Sequence, residues 1–268
     1  MRSFFIAFLT LSIFCACKTN PISGKPNLNF YGNKTVFPMA FKEYSSFLEK
    51  NKVLENTASS KQIKEIGLRI KAAAEAYFAH NNNSAYLSDY AWEFNLVDNP
   101  QKNAWCMPGG KIVFYTGILP IAKTADGIAA IMGHEVAHAL VNHGARRMSA
   151  ATLKTGADYL VGRITEDKPA QKRKTFLMAY GLGSQVGVML PFSRSHESEA
   201  DRIGVTLMTI AGYDPREAAL LWERMGAASQ GKSPPEILST HPASSRRIQN
   251  IRAHIPYADS LAKAVLKR

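Results

Sequence analysis

The motif His134-Glu135-Val136-Ala137-His138 has the residue types and spacing of a metal-dependent hydrolase. His134 and His138 are about one helical turn apart, so both imidazoles lie on one face of a helix and can hold a zinc ion. Glu135 can take a proton from a water molecule and pass it to a leaving amine. Surface polar residues are the alternative, but the flanking residues are apolar, and burying these three groups without a function would be costly.

A third ligand is needed, because two histidines leave a zinc site incomplete. A three-histidine arrangement would require a histidine where the sequence has Gly144. The segment Ser193–Asp201 offers carboxylates instead, and Glu197 and Asp201 are spaced to share one helical face. Glu197 can complete a two-histidine, one-glutamate site, and Asp201 can accept the ring N–H of a ligating histidine. Glu199 is a competing ligand that spacing alone leaves open.

The elements that must position these residues follow the order helix, small sheet, helices. Strand-like patterns at Trp92–Val97 and Lys111–Thr116 flank a turn at Pro108-Gly109-Gly110, which predicts an antiparallel pair. A helical pattern begins at Thr124 and carries the metal motif. Further helices are predicted over residues 41–80, 157–190, 195–211, 215–228 and 243–254. This order predicts an α+β fold, mostly helical, with a small antiparallel sheet beside the active-site helix.

The composition is that of an ordinary folded protein with a basic charge. Of the 268 residues, 46% are hydrophobic and 20% are charged, which suffices for a substantial core. The formal net charge of +12 could favour an anionic membrane surface, although solubility is the simpler reason for it. The sequence lacks the clustered basic and aromatic pattern of a nucleic-acid-binding protein, so we expect no nucleic acid partner.

The N-terminal residues have the pattern of an export signal. Arg2 precedes an apolar run over residues 4–14 that is too short to span a bilayer comfortably. Cys17 stands where a bacterial lipoprotein would be cleaved and acylated, although an ordinary secretory signal or an uncleaved anchor is the alternative. We expect a signal peptide over residues 1–16, a lipidated N-terminus and tether over 17–40, and the folded domain over 41–268. Cys106 would then have no disulfide partner.

Several ordered motifs resemble the M48 family of zinc metallopeptidases, especially its bacterial periplasmic and outer-membrane lipoprotein members. The resemblance covers nearly the whole of the predicted domain. Besides the metal motif with its following His143, the matching segments are Asn103-Ala104, Pro108-Gly109-Gly110-Lys111-Ile112, Thr116-Gly117-Ile118-Leu119, Pro191-Phe192-Ser193-Arg194, Glu197–Gly204, Ser239-Thr240-His241-Pro242 and Arg247-Ile248.

This resemblance implies a zincin-like (gluzincin) domain and several roles that spacing does not show. The family's third ligand is the glutamate four residues before the aspartate, which favours Glu197 over Glu199. The resemblance also implies that His241 and Arg247 enter the cleft, where they stabilise the oxyanion or where His241 caps the zinc in a resting state. Finally, it implies an edge strand against which an extended substrate lies; its residues would be Lys111, Ile112, Val113 and Phe114.

These observations predict a zinc endopeptidase with one zinc ion per chain that cleaves unfolded or misassembled cell-envelope proteins. The predicted location is the bacterial cell envelope, facing the periplasm, with the chain tethered to the outer membrane by a lipid on Cys17. A chaperone-like or scaffolding lipoprotein with a structural or regulatory metal site is the rival class, and the complete catalytic set favours the enzyme. An aminopeptidase is a further alternative, but no sequence feature suits the capture of a free N-terminus. The sequence leaves the oligomeric state open.

Overall fold

The computed structural model describes residues 17–24, 26–185, 189–229 and 235–267. These residues form two compact units. The smaller unit contains the described chain up to Val36 together with Val141–His196, and the larger contains Phe37–Leu140 and the described chain from Glu197 onward. The predicted signal peptide lies outside the described residues, and the proposed boundaries at 17–40 and 41–268 stay predictions.

The described residues are mostly helical. Their helices are α1 (Asn33–Glu49), α2 (Ala58–His80), α3 (Leu119–Ala122), α4 (Ala125–Leu140), α5 (His143–Ile164), α6 (Ala170–Ser184), α7 (Leu190–Ile210), α8 (Arg216–Ala228), α9 (Ile237–Thr240) and α10 (Ser245–Leu266). Their strands are β1 (Cys17–Thr19), β2 (Pro26–Leu28), β3 (Val53–Leu54), β4 (Glu93–Val97), β5 (Ala104–Met107) and β6 (Lys111–Tyr115). The α+β fold class is therefore confirmed.

The sheet of the larger unit is mixed rather than antiparallel. Its strand order is β3-β4-β6-β5, in which β6 pairs in parallel with β4 and antiparallel with β5. The predicted antiparallel pairing of β4 with β6 is wrong, because the hairpin partner of β6 is β5, a strand that was not predicted. Gly109 and Gly110 both have positive φ, near 83° and 85°, and form the tight turn of that hairpin.

The strand that was predicted to form the edge of the sheet lies inside the sheet. Strand β6, with Lys111, Ile112, Val113 and Phe114, has a paired strand on each side, and all its residues are buried. It therefore has no open edge for a substrate. The outer strand on this side of the sheet is β5, whose single neighbour among the described strands is β6.

Helix α4 forms the centre of the larger unit. Every residue from Gly127 to Leu140 is buried, and the helix packs against α2, β5 and α8. The helix begins where predicted, since the Thr124 hydroxyl oxygen accepts a hydrogen bond from the N–H of Gly127 at 3.0 Å. This helix holds the metal motif inside the core.

The smaller unit contains an antiparallel β1–β2 pair and helices α5 and α6. Strand β2 packs on α5, and the N–H of Phe30 donates to the Ser149 hydroxyl oxygen at 2.9 Å. Asn142, the residue before α5, has a φ of 54°, and Gly144 lies inside α5. The predicted helix over 157–190 is interrupted at Pro169, because proline disfavours helical conformation in the residue before it. In the part of the chain that the structure describes, every helix is too short or too polar to span a bilayer.

Candidate metal centre

Four potential metal ligands meet in the larger unit. His134 and His138 come from α4, Glu197 from α7, and His241 from the residue after α9, with their ligand atoms all within 4.8 Å of one another. The Nε2 atom of His134 lies 3.1 Å from Nε2 of His138, 3.2 Å from Nδ1 of His241 and 3.4 Å from Oε2 of Glu197. Ligand atoms around a tetrahedral zinc ion lie about 3.3 Å apart, given zinc–ligand bonds of about 2.0 Å. The four side chains therefore fit one zinc ion.

Two glycines bring α4 and α7 close enough to join the histidines to Glu197. A Cβ atom on Gly133 would lie 2.7 Å from the carbonyl oxygen of Gly204, and one on Gly204 would lie 2.8 Å from the backbone nitrogen of His134. Real Cβ atoms do not approach that closely, so both positions need glycine. The backbone crossing next to His134 thus places Glu197 within reach of the same ion.

His241 is held at the centre by the short helix α9. Its backbone N–H donates to the carbonyl oxygen of Ile237 at 2.8 Å, and Ile237 is buried. The Nδ1 atom of His241 lies 2.7 Å from Oε2 of Glu197. Because the imidazole lies among the other side chains, this structure presents four potential protein ligands rather than three and one open position.

Asp201 and Arg247 form a buried ion pair behind His134. The Oδ1 atom of Asp201 lies 3.0 Å from Nδ1 of His134. The Arg247 guanidinium donates two hydrogen bonds to the same carboxylate, at 2.5 Å from Nε and 2.7 Å from Nη2. A carboxylate that accepts the ring N–H of a ligating histidine fixes the orientation and tautomer of that ring. Asp201 is placed to do this for His134.

Burial and neighbouring groups shift the pKa values of this cluster. Burial disfavours the ionised forms of both carboxylates, yet their partners outweigh it. Hydrogen bonds with His134 and His241 hold the pKa of Glu197 well below its ordinary range. The Arg247 cation and the hydrogen bond with His134 lower the pKa of Asp201. Burial and Arg247 act to lower the pKa of His134, but hydrogen bonds with the two carboxylates raise it to about 9.

Glu135 lies beside the ligands with one oxygen atom available. Its Oε1 atom is buried and has no hydrogen-bond partner among the described residues, while Nε2 of His241 lies 3.7 Å away. A buried carboxylate oxygen without a donor is costly unless the site has a use for it. A water molecule or a substrate N–H would satisfy this atom. Glu199, the competing ligand, is not part of the cluster.

Trp222 of α8 is a residue of the centre that the sequence did not single out. The Arg247 guanidinium carbon lies 3.5 Å from the centre of the Trp222 ring, which is a close cation–π contact. The same ring meets the imidazole of His134 edge-on, with centroids 5.4 Å apart. The predicted helix over 215–228 contains Trp222, but no sequence motif links this residue to the ligands.

Strand β5 runs beside the proposed base. Burial raises the pKa of the Cys106 thiol, and the Glu135 carboxylate raises it further, so the two side chains interact. The backbone N–H of Ala104 donates to its neighbour Asn103 Oδ1 at 2.9 Å. In an antiparallel pair, alternate residues direct their backbone N–H and C=O away from the partner strand. Since the N–H of Tyr115 bonds the carbonyl of Asn103, this alternation directs the backbone of Cys106 toward the open edge.

The arrangement is suited to hydrolysis of a peptide bond. A zinc ion held by these ligands would polarise a carbonyl oxygen and acidify a water molecule. Oε1 of Glu135 would accept the proton of that water and deliver it to the leaving nitrogen. Asp201 and Arg247 would keep the His134 ring in place during these steps.

The chain is similar to several curated metalloproteases. It is 40% identical over 174 residues to the mitochondrial metalloendopeptidase OMA1 of Schizosaccharomyces pombe, covering 64% of this chain and 49% of the relative. It is 33% identical over 206 residues to the OMA1 protein of Saccharomyces cerevisiae, covering 74% and 57% respectively. The β-barrel assembly-enhancing protease of Escherichia coli is 29% identical over 165 residues, covering 60% and 34%. The chain therefore spans about half the length or less of these relatives.

These relatives correct one prediction and support others. The prediction of a bacterial cell-envelope location facing the periplasm is wrong, because the relatives matched at 40% and 33% identity are mitochondrial proteins. The predicted enzyme class agrees with them, since all three are named as proteases. The model of peptidase family M48 matches residues 61–255, which include every ligand of the centre. With that match over most of its length and a side-chain cluster that could hold one metal ion, the chain belongs to peptidase family M48.

Proposed function

We propose that this chain is a zinc metalloendopeptidase in which His134, His138 and Glu197 hold the metal and Glu135 is the general base. The observation that carries the proposal is the buried Oε1 atom of Glu135, which lacks a hydrogen-bond donor and lies beside a four-ligand cluster. A purely structural zinc site would have no need of such an atom. The proposal therefore favours an enzyme over a scaffold that merely retains the metal.

The substrate is an extended or unfolded polypeptide that pairs with β5. This strand pairs on one side only in the described sheet, packs against α4 and carries Cys106, whose thiol interacts electrostatically with Glu135. A peptide added to that edge would gain backbone hydrogen bonds, which are independent of its sequence. Folded proteins offer few free backbone segments, so selection by an edge strand favours unfolded chains.

His241 acts as a gate over the zinc site. It occupies the fourth ligand position, where water and substrate must bind during catalysis. His241→Ala would open this position and raise basal cleavage of casein if the gate limits the rate. A fall in kcat with unchanged zinc content would instead assign His241 to transition-state stabilisation.

The experiment that tests the proposed function is mass spectrometry of casein fragments. Purified protein, the same protein after chelation, and the chelated protein after one equivalent of zinc are each incubated with casein. The proposal predicts internal cleavage that chelation abolishes and zinc restores. Stepwise removal of N-terminal residues would identify an aminopeptidase, and suppression of aggregation without cleavage would identify a chaperone.

Lipidation of Cys17 remains part of the proposal. Cys17 begins strand β1 in the smaller unit. A mature N-terminus at Cys17 with the added mass of acyl chains would support a membrane tether. An N-terminus at any other residue would contradict the lipid anchor without affecting the zinc chemistry.

A further inference from the structure

Helices α5 and α6 carry an apolar surface that no described residue covers. Helix α6 has no buried residue, and the buried residues of α5 all lie within His143–Ser149, near its start. The exposed large apolar side chains of the two helices include Leu153, Leu160, Ile164, Phe176, Met178 and Leu182. Single exposed apolar residues are ordinary, but a concentration of them on two neighbouring helices indicates an interaction surface.

The spacing of these residues groups most of them on one side of each helix, whereas Phe176 lies on the opposite side of α6 from Met178. Leu153, Leu160 and Ile164 follow one another at seven and four residues on α5, and Met178 and Leu182 are four apart on α6. Most residues that line an open apolar groove of about 590 Å³ belong to these two helices, Leu153 among them, whereas Met178 and Leu182 lie outside the groove. Met178 and Leu182 are 61% and 66% exposed, so they contribute little to packing within the unit.

Basic residues surround this apolar surface. The segment 143–185 contains eight lysine and arginine residues and three acidic residues, for a net charge of +5. Lys172 and Lys174 lie on either side of the Met178 and Leu182 face on a helical projection of α6, and both are exposed. Apolar side chains bordered by lysine and arginine are characteristic of helices that lie in the interface of an anionic membrane.

We propose that the α5–α6 surface binds an anionic membrane surface, with its apolar side chains among the lipid headgroups and its basic side chains paired with lipid phosphates. A second copy of this chain would place like charges against each other, which disfavours self-association through this face. Helices α5 and α6 do not have the length and apolarity of a membrane span, so the contact is interfacial. Strand β1, which begins at Cys17, belongs to the same unit as this surface. The proposal goes beyond peptide hydrolysis and does not depend on it.

Vesicle co-sedimentation of the full chain tests this proposal. The lipids are phosphatidylcholine alone and phosphatidylcholine mixed with phosphatidylglycerol. One variant carries Met178→Glu, and a second carries Lys172→Glu with Lys174→Glu. Matched controls on exposed positions of the larger unit are Met39→Glu, at 58% exposure, and Lys61→Glu with Lys64→Glu. Because Met178 is so exposed, the α6 variants should fold normally, which circular dichroism and zinc content check.

The proposal predicts tighter binding to the anionic vesicles and a fall of about tenfold or more for both α6 variants, with the controls unchanged. Each variant is compared with the parent chain, so any contribution from the N-terminal apolar run is present in both and cancels. Equal binding of the α6 variants and the parent, equal binding to neutral and anionic vesicles, or no binding at all would overturn it. A change in oligomeric state by light scattering, with vesicle binding unaltered, would assign the surface to a protein partner and would equally overturn it.

Discussion

At the scale of single residues, the centre is a set of charges that depend on one another. Asp201 interacts with both His134 and Arg247, and Arg247 also packs on Trp222. The two histidines, the base and the candidate carboxylates could be predicted from the sequence, because helical spacing determines which side chains share a face. Trp222 could not be, because its position depends on the packing of α8 against α4 rather than on any local pattern.

Replacing the two competing glutamates distinguishes the ligand from its neighbour. Glu197→Ala should lower zinc affinity by at least about 100-fold, because it removes a ligand and the carboxylate that the buried His134 and His241 share. Glu199→Ala is the matched control on the same helix and should retain full zinc content. Metal analysis after gel filtration measures both. Loss of zinc from Glu199→Ala alone would reverse the assignment.

At the scale of elements, the helices could be predicted more accurately than the sheet. The helix over 215–228 is observed at Arg216–Ala228, since apolar periodicity is a local property. The pairing of β4 with β6 was misassigned because β5 is only four residues long and its pattern is indistinct. Strand pairing also depends on contacts between residues that are distant in sequence, and the pattern of apolar residues within one segment does not reveal those contacts. The same error placed the substrate edge on the wrong strand.

Because α4 and α7 cross closely at Gly204, a methyl group added at this position should lower both the stability and the zinc affinity of the protein. Gly204→Ala would place a Cβ atom 2.8 Å from the His134 nitrogen and force the two helices apart. We expect a loss of about 1–3 kcal/mol of unfolding free energy and weaker zinc binding. Gly226→Ala is the control, because its added Cβ would lie at an ordinary contact distance of 3.8 Å from the Cβ of Ala243. Urea denaturation and zinc titration of both variants check this, and equal stability of the two would contradict the close crossing.

If a substrate pairs with the outer edge of β5, removal of the backbone N–H of Cys106 should weaken substrate binding. Cys106→Pro removes the outward N–H while keeping a residue that edge strands tolerate. Cleavage of casein should fall about tenfold or more through a higher KM, because a backbone hydrogen bond to the substrate is lost. Cys106→Ala keeps the N–H and should cleave casein like the parent chain. A fall of the same size in Cys106→Ala would instead assign the role to the thiol.

At the scale of the whole molecule, the larger unit contains the full set of proposed catalytic groups. Its ligands come from α4, α7 and the residue after α9, with Arg247 from α10, so the centre forms only when the core of that unit is folded. The smaller unit instead provides the α5–α6 surface. The sequence motifs could identify the catalytic groups of the larger unit. The α5–α6 surface could be identified only from the exposed fraction of its side chains.

The measurement that tests the account most directly is casein cleavage by Glu135→Gln, with zinc content determined on the same sample. The amide keeps the shape of the side chain but cannot accept and deliver a proton, so kcat should fall by about 100-fold to 10,000-fold. Zinc should remain at one per chain, because Glu135 is not among the ligands. Undiminished cleavage in the zinc-loaded Glu135→Gln variant, or complete cleavage by the parent chain without metal, would contradict the account.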